Sequence, residues 1–141
     1  MLRSSFTALA FLAAVVVPGV WAADLPLDTA AIESITGLTG TMNKAENVFK
    51  VSKPRTDIRL NVDRWTLPPF MGLTSYAAFM PMAEGTMLMG DTVVLEDEVN
   101  PAMSAALDAG LEVTALHNHF FFDQPKIYFM HIGGMGDTAR L

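Results

Sequence analysis

The chain has 141 residues, 51% of them hydrophobic, and a formal charge of −6 from 9 basic and 15 acidic side chains. An acidic surface repels phosphate backbones, so nucleic acid is not an expected partner. There is no cysteine, which excludes disulfides, thiol chemistry and a lipid-modified N-terminal cysteine.

The N-terminus sets the expected compartment. Arg3 precedes the uncharged apolar stretch Phe6–Val17, and Pro18-Gly19 breaks it. Val20-Trp21-Ala22 then offers small or aliphatic residues where a signal peptidase reads. Residues 1–22 are therefore expected to be a secretory signal peptide, cleaved after Ala22. The apolar run falls short of the roughly 20 residues that a membrane span requires. No integral span is expected after cleavage, and the product should be exported, to the periplasm or beyond the cell. The rest suffices for one small domain: a helical lead-in over 23–39, then a domain over 40–141.

Asp28 is placed to cap a short helix, Thr29–Thr36, ended by Gly37 and Gly40. Asn47–Val51 and Ile58–Val62 read as strands around Lys53-Pro54. Pro68-Pro69 punctuates the chain. Ser75–Met82 and Thr86–Leu95 read as a hairpin. A four-residue loop at Ala83–Thr86 would set Met82 opposite Met87 and Met80 opposite Met89. Four thioethers on one side would suit Cu(I), although flexible core filling is the preferred reading of these methionines. Asn100-Pro101 supplies an N-cap and a proline at the first helical position. Met103, Ala106 and Leu107 then form an apolar stripe, closed by Gly110. Strands follow at Glu112–His117 and Lys126–Ile132, the second ended by Gly133-Gly134. Gly133-Gly134-Met135-Gly136 fits no phosphate-binding fingerprint and reads as a turn into a helix capped by Asp137. The chain stops at Leu141 after barely one turn. Isolated turns do not hold themselves together, so a longer parent protein is expected. The predicted class is α+β: an antiparallel sheet with one or two helices packed on one face.

All three histidines lie between Leu111 and Ile132. Strand alternation puts Leu111, Val113, Ala115, His117 and His119 on one face, and Ile127, Phe129 and His131 on one face of the returning strand. If those faces coincide, three imidazoles line a rim over an apolar floor. His117, His119 and His131 are thus candidate ligands for a divalent metal such as zinc, with an open position for water. Glu98 and then Asp91 are the candidate catalytic carboxylates. Among Phe120-Phe121-Phe122, not all rings can enter one core, so Phe121 is a candidate ligand contact, as is its neighbour Asn118. Arg55 is another, because arginine suits bidentate carboxylate binding.

Several segments resemble one known family. They are Lys53-Pro54-Arg55-Thr56-Asp57, Met89-Gly90-Asp91, Glu98-Val99-Asn100-Pro101, the run from Gly110 through His119, Pro125 through His131, and Gly136-Asp137. Together, across roughly 40–141, the chain resembles the LppY/LpqO-type domain of bacterial exported proteins and lipoproteins, whose function is unknown. The resemblance implies export and a unit that is often repeated or continued by a further helix. It favours Arg55 over Arg59 as a ligand contact, and it names no reaction. Two functions remain in view: a metal-dependent exported hydrolase using the histidine rim, or a non-catalytic exported binding or structural module.

Overall fold

A computed structural model describes residues 25–141; the expected signal peptide lies outside the described residues. The first helix, α1, spans Thr29–Thr36 as expected. Asp28 accepts from the Ala31 amide at one end, and Gly37, at φ 67°, turns the chain out at the other. Strands β1 (Gly40–Asn43), β2 (Val48–Pro54), β3 (Leu60–Val62) and β4 (Trp65–Leu67) follow. Asn47, expected in a strand, instead has φ 52° and belongs to the turn before β2. A 3-10 turn over Pro69–Met71 leads to the hairpin β5 (Thr74–Met82) and β6 (Gly85–Leu95).

Helix α2 runs Val99–Asp108. Its entry differs from expectation: a 3-10 turn over Glu96–Glu98 feeds it, so Asn100 lies inside the helix and does not cap it. Strands β7 (Glu112–His117), β8 (Asp123–Gln124) and β9 (Ile127–Gly136) complete the order. Among the described residues, no helix is long and apolar enough to cross a membrane.

The predicted α+β class is overturned. Nine strands form two antiparallel sheets, and the helices are short covers, so the described chain is mostly β. Three-residue strands such as β3 and β4 carry too little alternation to be seen in sequence. The glycine run also misled. Gly133 through Gly136 pair with Met89 through Thr86 and extend β9. A side chain at Gly134 would come within 2.9 Å of Leu111 Cδ2, so this glycine marks close packing where a turn was expected.

The larger sheet has the order β1-β2-β5-β6-β9-β7, and the smaller is β4-β3-β8. One face of the large sheet packs Phe49, Val51, Phe79 and Leu88 against Ile32 of α1 and Ala106 of α2. On the opposite face, Val93 and Phe129 meet Leu60 and Leu73, which belong to the small-sheet side. This second core covers only one end of that face. The other end of the same face is open, and the candidate site lies there.

The hairpin register also differs from expectation. Met82 pairs with Gly85 and Met80 with Met87, so the loop is two residues and Met89 faces Ala78.

Candidate functional site

The site begins with a bulge. Strand β7 pairs Val113 with Ile132 but Ala115 with His131, so the register shifts at Thr114. Two residues on one strand then oppose one on the other, and alternation is reset. Leu111 and Val113 therefore pack in the helix-covered core. Ala115, opposite His131, and His117, opposite Phe129, project to the other face. Strict alternation had placed Leu111 and Val113 beneath the histidines along with Phe129; of these, the bulge leaves Phe129 on the histidine face.

The three histidines do come together. His117 Nε2 lies 2.7 Å from His131 Nε2, one ring donating to the other. Their ring centroids are 4.9 Å apart. His119 stacks on His117 with centroids 5.0 Å apart and lies over the Phe129 ring at 3.6 Å. Burial in this stack, with the neighbouring His117, pushes the His119 imidazole below its ordinary pKa.

Asp91 supplies the acid. It lies on β6 directly opposite His131, and facing residues of an antiparallel pair share a face with Cβ atoms roughly 4.5–5.5 Å apart. Its charge opposes the downward shift of His119. Its Oδ1 is buried and has no hydrogen-bond partner among the described residues. A buried carboxylate oxygen without a donor is costly, on the order of 1–3 kcal/mol, and so calls for an explanation. Among the described residues, no three His, Asp or Glu side chains already surround one point as a metal cage. The nitrogen, nitrogen and oxygen donors here are nonetheless a set that zinc and its neighbours accept.

The remaining candidates are placed elsewhere. Glu98, expected to be the acid nearest the histidines, is committed to Arg55. Arg55 is partly buried, with 12% of its side chain exposed. Its Nε and Nη2 donate to Asp57 at 2.9 and 2.8 Å. Its Nη1 donates to the Val93 carbonyl and to Glu98, both at 2.8 Å, and Nη2 also reaches Glu98 Oε1 at 3.2 Å. All five guanidinium N–H groups are thereby used. Glu98 also accepts from the Leu95 amide at 2.8 Å. Arg55 holds both carboxyls below the ordinary range, and they raise its own pKa further. The groove beside this cluster, about 810 Å³, contains no histidine. With no donor of Arg55 left over, the cluster reads as a clamp joining the ends of β2 and β6 to the start of α2.

Asn118 donates to the Phe120 carbonyl at 2.9 Å and shapes the loop after β7. Phe120 packs on the second core, whereas Phe121 is 95% exposed. Sequence reasoning had placed Phe129 on the histidine face as part of an apolar floor, and the structure stacks His119 directly on it. The signal was its place two residues before His131 on a strand.

The class of protein can now be stated. Residues 30–141 match the family described as Domain of Unknown Function (DUF1259), and the chain belongs to that family. No curated protein and no solved structure matches the chain.

Proposed function

We propose that this is an exported protein of the LppY/LpqO type that binds a divalent cation, zinc foremost, through His117, His131 and Asp91, and uses it in hydrolysis. One observation carries the reading: the unpartnered buried oxygen of Asp91 stands across the strand from a pair of touching imidazole nitrogens. A bound cation would take the lone pairs that these groups now direct at one another or at nothing. It would supply a water acidified to a pKa near 7. His117 and His131 would offer Nε2, and Asp91 a carboxylate oxygen. His119, stacked beside His117, would be left to take a proton from water. The Phe129 ring lies flat against one side of that exposed imidazole.

The test is metal uptake by the purified chain. Dialysis against zinc, followed by elemental analysis, should return one zinc per chain. His117→Ala and Asp91→Asn should each lose it. A folded protein that takes up no stoichiometric zinc, manganese or iron sinks this reading. A second reading, a non-catalytic binding module, is favoured by Phe121 and by the 73% exposure of Phe122. It takes the lead if histidine variants change nothing.

A further inference from the structure

Beyond the histidines the open face carries thioethers. Met80 of β5 stands opposite Met87 of β6, and Met87 stands opposite Met135 of β9. Directly opposed residues project to the same face, so three methionines form one row across three neighbouring strands. Met89 lies one alternate position along β6, between this row and Asp91. Its sulfur is 3.2 Å from where a Gly133 Cβ would sit. The missing side chain at Gly133 thus leaves the space that this thioether occupies.

Core filling does not account for these side chains. Met89 is 49% exposed and Met135 56% exposed. Met80 and Met87 are half-buried. The second core stops at Val93 and Phe129, at the other end of this face. Leucine or valine would serve apolar burial equally well, and methionine is distinguished only by its flexible, polarizable sulfur. Opposed Cβ atoms stand roughly 4.5–5.5 Å apart, and each methionine has three rotatable bonds, so the outer two sulfurs can fold in toward the central one. Soft thioethers select Cu(I) over hard and borderline divalent ions. The chain has no cysteine to compete for it, and its net charge favours cations.

We propose that Met80, Met87 and Met135, with Met89 as a further donor, form a Cu(I) site on the open face, separate from the His117–His131–Asp91 set. The thioether row belongs to different residues, so the two sites succeed or fail independently.

The experiment is anaerobic titration of the purified chain with Cu(I) against a chromogenic Cu(I) chelator. One Cu(I) per chain should be held. Met87→Leu, which keeps the apolar surface and removes the sulfur, should weaken binding at least tenfold. Met80→Leu with Met135→Leu should abolish it, while His117→Ala should leave it unchanged. X-ray absorption should show sulfur neighbours around copper. Loss of all copper to the chelator overturns the proposal. So does equal affinity in the leucine variants, checked as folded by circular dichroism, or a copper shell of nitrogen and oxygen alone.

Discussion

His117 and His131 touch through their Nε2 atoms, 2.7 Å apart across β7 and β9. One nitrogen must carry the proton and the other the lone pair. Two nitrogens on a single tetrahedral ion at 2.0–2.1 Å would stand roughly 3.3 Å apart. The pair therefore needs to open by only a few tenths of an ångström to admit one. Zinc needs the Nε2 lone pair of both rings, so the donor ring must carry its proton on Nδ1 instead, and binding should weaken as the pH falls because protons compete for the same nitrogens. Zinc titrations across pH measure that competition, and an affinity that does not fall toward acid would contradict ligation by this pair.

Asp91→Asn should act with opposite signs on stability and on binding. Removing a charge whose Oδ1 is buried without a partner should stabilise the metal-free protein by about 1 kcal/mol. The same change should lower zinc affinity at least tenfold. Thermal melts with and without zinc read both effects.

Arg55→Met should destabilise the fold by about 2 kcal/mol, below the usual cost of breaking a fully buried pair, because Asp57 and Glu98 are partly solvated. Zinc uptake should not change, since the clamp shares no residue with the histidine set. Urea denaturation and dialysis separate the two outcomes.

The same clamp predicts an acid limb. Arg55 depresses the Glu98 and Asp57 carboxyls below their ordinary values of 4.5 and 3.8. Their contribution is present above those ordinary values and disappears as pH falls through the lower folded ones. Stability should therefore drop below about pH 4.5, and Arg55→Met should flatten that drop. Identical acid limbs in the two proteins would remove the clamp as its cause.

Leu60→Ala should cost about 3 kcal/mol. Leu60 is fully buried and belongs to the core between the two sheets. Phe121→Ser, at a ring almost wholly in solvent, should stay within about 0.5 kcal/mol of the parent. Chemical denaturation of both gives the contrast.

Local signals in the sequence were good guides to single elements. Asp28 and Gly37 bracket α1 because capping is decided by the residues at the helix ends. The Glu112–His117 strand was legible from its β-branched content. Pairing was not. The hairpin loop came out two residues shorter than expected, and Met80 found Met87 where Met89 had been expected. Glu98 looked like an acid for the histidines because it closes an element, yet Arg55, distant in sequence, claims it. Only the assembled sheet decides such long-range choices. Asp91 was legible as a candidate, but its place opposite His131 rests on the β6–β9 register.

The extra residue at Thr114 has a consequence for how β7 tolerates change. Before it, odd-numbered positions should resist polar substitution, because Leu111 and Val113 lie in the packed interior. After it, the constrained odd positions answer to chemistry at Ala115 and His117, and Leu116, 40% exposed, turns to the helix-covered face opposite the buried Met130. A scan of all substitutions along Leu111–His119 should thus show a two-residue rhythm that skips a beat at Thr114. Deleting that one residue should be tolerated better than polar replacement of Leu111 or Val113, since Val113 and Ala115 would then alternate without a break opposite Ile132 and His131 and His117 would stay opposite Phe129.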